Sequence, residues 1–144
     1  MRQNSLNALV LVLASLVAAV WPIGAYAEDV RWQTRPALAR TEANRSNRPM
    51  FILVTSRDCG WCRKLESTTL RDPRVVHELN ARTIPIKVDA DDPANARLVA
   101  AIKIEGLPTS AIVRPNGRIS QTRAGYLDPS EFLGWLREAA PVAK

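Results

Sequence analysis

The chain has 144 residues, of which 47% are hydrophobic, and it carries a formal net charge of +6. A chain of this length can bury one hydrophobic core and is predicted to form a single domain. The positive charge does not indicate a nucleic-acid-binding protein, because the arginines are scattered along the sequence rather than clustered with aromatic residues. A solvated basic surface accounts for this composition, and we expect no nucleic-acid partner.

The first 27 residues have the layout of a secretory signal peptide. Arg2 provides a cationic start, residues 6–20 are apolar, and the Ala-Tyr-Ala sequence at residues 25–27 is a typical cleavage site. The alternative is a retained membrane anchor, since residues 6–27 are long enough to span a bilayer. Either way, residues 28–144 are predicted to form one domain in an oxidising compartment, which we take to be the periplasm.

The middle of the chain predicts alternating helices and strands. A short helix is favoured over about residues 36–47, and residues 50–55 form the continuous apolar run of a strand that is buried on both faces. A helix is predicted to begin at Cys59. A second helical piece follows the Asp-Pro cap at residues 72–73, with three inward-facing residues: Val75, Val76 and Leu79.

The next two elements are a strand and a helix. Residues 83–88 predict the strand, in which Pro85 indicates an edge or irregular position because it cannot donate a hydrogen bond. Asp92 and Pro93 repeat the cap-then-proline start of a helix. Three apolar residues then follow at helical spacing: Leu98, Val99 and Ile102.

The C-terminal third predicts a hairpin followed by a helix. Two strand-like runs, residues 109–113 and 118–123, flank Pro115-Asn116-Gly117, and Asn-Gly between strands favours a tight turn. Asp128 with Glu131 predicts a capping box at the start of the last helix. The order of the elements, with a parallel crossover first and an antiparallel hairpin last, predicts an α/β fold with a central mixed β-sheet and helices on both faces.

The two cysteines of the chain form its most informative motif, Cys59-Gly60-Trp61-Cys62, between a strand and a helix. Both sulfur atoms can lie on one face of a helical turn and form a disulfide. The helix N-terminus would stabilise a thiolate at Cys59, whereas Asp58 opposes it. Three basic side chains would add to the stabilisation: Arg57, Arg63 and Lys64.

This placement predicts the roles of the two cysteines. Cys59 is expected to be the attacking thiolate of a redox-active dithiol, and Cys62, one turn inside the helix, the buried resolving thiol. The alternative is a permanent structural disulfide, although closing so short a loop removes little entropy from the unfolded chain.

The order of the elements, the Cys-Gly-Trp-Cys motif and Gly106-Leu107-Pro108-Thr109 at the start of the hairpin together resemble the thioredoxin superfamily. Within it, residues 62–66 and 72–75 are similar to secreted thioredoxin-like proteins and to the C-terminal thioredoxin domain of DsbD-type thiol:disulfide interchange proteins. The resemblance extends over about residues 30–139 and implies a thioredoxin-like fold.

The resemblance also implies a surface for binding substrates. It implies that the Leu107–Pro108 peptide bond is cis and lies beside the disulfide. Because Pro108 has no N–H, the backbone groups of Leu107 would be free to pair with an extended substrate peptide. Trp61 would shield the disulfide and contact substrates. Gly125 corresponds to a glycine that permits close backbone approach, and an ordinary turn glycine is equally consistent with the sequence.

Two departures from thioredoxin bear on the chemistry. Asp58 precedes the first cysteine, where thioredoxin usually has tryptophan, and Trp61 lies inside the motif instead. Leu53 occupies the position of the buried aspartate that moves a proton to and from the second cysteine. Since a leucine cannot do so, deprotonation of Cys62 would need water or another group, for which Glu66, one turn onward, is a candidate.

The remaining residues do not indicate a metal or cofactor site. His77 is the only histidine, and it falls on the helix after the motif, away from both cysteines, so we expect a surface or half-buried histidine rather than a ligand. Trp32 and Trp135 are expected to serve in packing. We therefore expect no cofactor and no metal ion.

The resemblance implies a periplasmic thiol–disulfide oxidoreductase that acts as a reductase or electron carrier. Its expected partners are protein thiols and disulfides and a membrane electron donor, and the chain is expected to be a monomer. A disulfide oxidase or isomerase is the nearest alternative. A redox-inert or metal-carrying module is an alternative of a different class, against which the lack of a methionine cluster or second histidine argues.

Overall fold

The computed structural model describes residues 28–141, so the predicted signal peptide and the alternative membrane anchor lie outside the described residues. Four strands form one sheet: β1 (Met50–Thr55), β2 (Ile84–Asp89), β3 (Thr109–Val113) and β4 (Ile119–Ala124). They lie in the order β2-β1-β3-β4, with β1 and β2 parallel and the other pairs antiparallel. The predicted mixed sheet is confirmed, and β2 has the outer position that Pro85 indicated.

Helices cover both faces of this sheet. Within the described residues there are five α-helices: α1 (Pro36–Ser46), α2 (Gly60–Ser67), α3 (Pro73–Arg82), α4 (Ala96–Ile102) and α5 (Pro129–Ala139). Helices α2, α3 and α5 contribute to the hydrophobic cluster on one face, and α1 and α4 to the cluster on the other. None of these helices combines the length and the apolar character that crossing a membrane requires.

Strand β1 is the centre of both clusters. All six of its residues are buried. Phe51 and Leu53 face the α2, α3 and α5 side, where the ring of Phe51 lies 5.7 Å from that of Phe132, and Ile52 and Val54 face the other side. Successive side chains of a strand point to opposite faces. An uninterrupted apolar run is therefore what a strand in this position needs, as the sequence predicted.

The helix boundaries differ from prediction where a capping residue stands outside the helix. Helix α2 begins at Gly60 rather than Cys59, because Cys59 has an extended backbone and is the N-cap. Asp92 caps the 3-10 turn Pro93–Asn95, and α4 starts only after it. Two predicted caps are present: Asp72 on α3 and the Asp128–Glu131 capping box on α5.

Glu78 links α3 to α5. Its carboxylate accepts hydrogen bonds from Arg82, one turn along α3, and from Arg137 of α5, whose Nη2 is 3.0 Å from Oε1 of Glu78. The hydrogen bond from Arg82 is the main reason that the pKa of Glu78 is lowered, with Arg137 adding to the effect and partial burial opposing it. The folded chain therefore favours the ionised carboxylate.

We expect Glu78→Gln to lower the free energy of unfolding by about 1 kcal/mol at neutral pH. Because folding lowers the pKa of Glu78, this contribution is complete above its ordinary value of 4.5 and is lost as the pH falls through the folded-state pKa. Urea unfolding of both proteins from neutral to acidic pH measures the difference. Glu138→Gln, which alters an exposed carboxylate on α5, is the control. A difference that stays constant at low pH would contradict this account.

Candidate active site

The two cysteines lie where the central strand β1 leads into α2. They form a disulfide with their Cα atoms 5.2 Å apart. Cys59 is half-buried, whereas Cys62 is only 2% exposed because it faces the core side of the helix. This difference in exposure makes Cys59 the sulfur that an incoming disulfide can reach.

The first turn of α2 provides a hydrogen-bond donor to Cys59. The backbone N–H of Cys62 donates to Sγ of Cys59 over an N–S distance of 3.1 Å, so the cysteine occupies the place of a Ser or Asp N-cap. After reduction, the same N–H and the helix dipole would stabilise a thiolate. Of the neighbouring cations, Arg57 lies 3.8 Å from the carboxylate of Asp91, which neutralises part of its charge.

The loop before β3 reaches the same end of the sheet as the disulfide. The register that pairs Val54 with Thr109 places Pro108 beside the last residue of β1. The Leu107–Pro108 peptide bond is cis, Pro108 is buried, and Leu107 is half-buried. The backbone N–H of Gly125 donates to the carbonyl of Pro108 over 2.7 Å. The segment after β4 is thereby tied to the proline loop.

The backbone conformation of Gly125 shows whether it serves as a turn glycine or permits the close approach of another segment. Its φ is +91°, and a Cβ added at this position would meet no atom within 4 Å. Glycine is therefore required by the left-handed backbone at the end of β4 rather than by close approach of another segment. This turn directs the next residue, Tyr126, toward α2.

An aromatic pair with a lysine lies next to the disulfide. The side chain of Trp61 is 58% exposed, and its ring centroid is 5.9 Å from that of Tyr126. The ammonium of Lys64 lies 4.8 Å from the centre of each ring. The hydroxyl groups of Thr68 and Tyr126 are 3.3 Å apart. Sequence reasoning missed Tyr126, for which the position directly after a turn glycine was the available signal.

The position of the thioredoxin aspartate is apolar in the folded chain as well. Leu53 is fully buried, and its register partner on β2 is Lys87. The ammonium of Lys87 lies 2.5 Å from Oε2 of Glu66, which stands one turn after Cys62. Glu66 and Lys87 line a surface cavity of about 370 Å³ together with Trp32. The carboxylate one turn after Cys62 is thus that of Glu66, which is on α2 rather than on β1 and borders solvent.

His77, Trp32 and Trp135 lie away from the disulfide motif in sequence, and the structure places each of them on the surface or against the core. His77 is exposed on α3, as expected, and no group of three or more His, Cys, Asp or Glu side chains within residues 28–141 is placed to hold a metal ion. Trp32 and Trp135 pack on Phe51, with ring centroids 6.1 and 6.4 Å away. Their predicted packing role is confirmed.

Comparison with known proteins agrees with this architecture. The family model of the thioredoxin-like domain matches residues 36–140. A protein disulfide-isomerase from Datisca glomerata is 30% identical over 80 residues, which make up 56% of this chain but only 16% of that protein, so the chain spans a small part of it.

Solved structures of other proteins share the fold. The thioredoxin from Thermus thermophilus superposes with a TM-score of 0.69 and 26% identity over 76% of this chain and 86% of that one. The oxidised C-terminal domain of DsbD from Neisseria meningitidis has a TM-score of 0.60 and 20% identity, covering 75% of this chain and 98% of that one. The thioredoxin-like fold predicted from the sequence is confirmed.

We expect iodoacetamide at neutral pH to label Cys59 of the reduced protein about ten times faster than Cys62. The reason is that Cys59 is more exposed and lies at the N-terminus of α2, which favours the reactive thiolate. Peptide mapping by mass spectrometry after short reaction times measures the two rates, and Cys62→Ser gives the rate of Cys59 alone. Faster labelling of Cys62 would show that the two roles are reversed.

We expect Glu66→Gln to slow the attack of Cys62 on a mixed disulfide at Cys59 by about tenfold near neutral pH, since it removes a proton acceptor one turn from Cys62. Stopped-flow release of an aromatic thiol bound to Cys59 measures this step. The deficit should shrink at alkaline pH, where hydroxide removes the proton. Glu138→Gln should behave as the wild type. Equal rates for Glu66→Gln and the wild type at every pH would rule out this role for the carboxylate.

Proposed function

We propose that this chain, which belongs to the thioredoxin-like domain family, is a thiol–disulfide oxidoreductase that reduces disulfides of protein substrates. The observation that carries the proposal is the pairing of half-exposed Cys59 with buried Cys62 at the start of α2. An accessible sulfur is needed to attack a substrate, and a protected second sulfur is needed to release it.

The cycle begins with the reduced chain. The Cys59 thiolate attacks one sulfur of a substrate disulfide, so that a new S–S bond to Cys59 forms while the substrate S–S bond breaks. The substrate sulfur that was not attacked leaves as a thiolate and takes a proton from solvent. Cys62 then loses its proton and attacks the sulfur of Cys59, which closes the Cys59–Cys62 disulfide and releases the second substrate thiolate. Two electrons pass from the chain to the substrate.

The proline loop offers a docking edge for an extended peptide. The N–H and C=O of Leu107 make no hydrogen bond within the described residues, and Pro108 has no N–H to compete for a partner. A substrate segment can therefore pair with Leu107 as an added strand. The exposed ring of Trp61 supplies apolar contact area next to the reacting sulfurs. We assign substrate binding to these three residues.

Turnover requires that a partner return two electrons to the Cys59–Cys62 disulfide. We propose that the first 27 residues direct the chain to the periplasm, where a dithiol of a membrane electron donor supplies them and the chain acts as a monomer. The choice of reductase over oxidase rests on the similarity of residues 62–66 and 72–75 to the DsbD-type domain. The measured reduction potential against glutathione distinguishes the two directions.

We expect Cys62→Ser to accumulate a covalent complex with a disulfide-containing protein, because Cys59 can attack but nothing resolves the mixed disulfide. Cys59→Ser should form none, since its remaining thiol is buried. Non-reducing gel electrophoresis followed by mass spectrometry identifies the bond, and the wild type should reduce the same protein in the presence of dithiothreitol. A disulfide that resists dithiothreitol in the folded chain, with no complex in either variant, would identify a structural disulfide instead.

A further inference from the structure

A polar cavity lies next to the aromatic pair beside the disulfide. It has a volume of about 370 Å³, and its lining includes Tyr126, Lys103, Arg123 and Thr109. Thr109 directly follows the cis-proline, and the ring of Tyr126 is 5.9 Å from that of Trp61. The cavity therefore borders the surface to which substrate binding was assigned.

The charge of this cavity is positive, because two cations line it against a single carboxylate. Lys103 and Arg123 are exposed, and neither forms an ion pair within residues 28–141. Glu105 also lines the cavity but lies beyond ion-pair distance of both cations. Lys64, held 4.8 Å from the ring of Tyr126, places a third cation nearby. An anionic group entering the cavity would find two cations that are not held in ion pairs.

Tyr126 lines the cavity and also contacts Trp61 of the disulfide motif, so it fixes the position of the cavity relative to the dithiol. Its hydroxyl is 3.3 Å from that of Thr68 on α2, and the preceding Gly125 is hydrogen-bonded to Pro108. An extended peptide advances about 3.3 Å per residue. Three positions of an extended peptide therefore cover about 10 Å, which is longer than the 5.9 Å between the ring of Trp61, inside the Cys59–Cys62 motif, and the ring of Tyr126, which lines the cavity.

We infer that this cavity is a subsite for a carboxylate side chain of the substrate, with Lys103 and Arg123 as its specificity-determining residues. The preferred substrates are then protein segments that carry Asp or Glu within about three residues of the disulfide cysteine. This inference rests on the proposed function and narrows the substrate class to acidic peptide segments.

The test compares short peptide disulfides that differ only in the charge beside the cysteine. Symmetrical dimers of one peptide, with glutamate, glutamine or lysine on both sides of its single cysteine, are mixed with the full chain in its reduced dithiol form. The second-order rate constant for their reduction is measured at low and high salt. We expect the glutamate peptide to react about ten times faster than the glutamine peptide at low salt, with the ratio falling as salt screens the charges.

Two substitutions remove the cations without disturbing the fold. Lys103 has a φ of +56°, so Lys103→Gly relieves backbone strain while deleting the charge. Arg123→Gln changes an exposed side chain of the outer strand β4. In the double variant, the glutamate-to-glutamine ratio should fall from about tenfold to about twofold. The control is Arg114→Gln with Arg118→Gln, which removes equal charge at the hairpin turn and should keep the ratio.

The outcomes separate this inference from the proposed function. Equal rates for the glutamate and glutamine peptides, or a ratio that the control pair lowers as much as the Lys103 and Arg123 pair, would overturn the acidic subsite while leaving the oxidoreductase in place. If no peptide is reduced, the oxidoreductase proposal fails, and calorimetric titration with serine in place of the peptide cysteine still decides the subsite. Tighter binding of the glutamate peptide than of the glutamine peptide, lost in the Lys103 and Arg123 double variant, supports the subsite. Equal binding of the two peptides rules the subsite out.

Discussion

The backbone N–H groups of the first turn of α2 have no acceptors within the helix, and the one at Cys62 is bonded to the sulfur of Cys59 at 3.1 Å. This contact requires Cys59 to remain extended while the residues after it become helical. The fully buried strand β1 ends at Thr55, shortly before this helix start, and so fixes where the helix start lies on the sheet. The accessibility of one sulfur, the protection of the other and the stabilisation of a thiolate all depend on this single junction.

The order of the strands brings the other parts of the site to that junction. Because β3 lies antiparallel beside β1, the start of β3 and the end of β1 are at the same edge of the sheet. Pro108 therefore reaches the dithiol from a distant part of the sequence. Strand β4 runs back along β3 and ends at the same edge, where Gly125 bonds to Pro108 and places Tyr126 next to Trp61.

The side chains of helix α2 make three sets of contacts. Cys62 and Leu65 face the core, Trp61 and Lys64 face Tyr126, and Glu66, one turn after Cys62, lies at the border of the core side and contacts Lys87 on β2. Side chains three or four positions apart share a face of a helix, so these groupings follow from its period. With the proton-accepting role expected of Glu66, the carboxylate would be carried by the helix instead of the strand, and an apolar residue could stand at Leu53.

The sequence by itself determined the features that arise from neighbouring residues. An apolar run predicts a doubly buried strand, an Asp followed by Pro or by Glu at the third position predicts a helix start, and Cys59 and Cys62 form a disulfide because one helical turn brings them together. The observed start of α2 is one residue later than the predicted start at Cys59. The reason is that an N-cap residue has an extended backbone, although its carbonyl and side chain already accept hydrogen bonds from the first turn of the helix.

Only the tertiary structure decided which distant side chains meet. The contact of Trp61 with Tyr126, the ion pair of Glu66 with Lys87, and the cavity that Lys103 and Arg123 share join segments with no common local pattern. These contacts depend on strand order and register, and a register shift of one residue would turn each side chain of a strand to the opposite face. The chemistry of the dithiol could therefore be predicted from a few adjacent residues, whereas the surface that would select its substrates is set by the packing of the whole sheet.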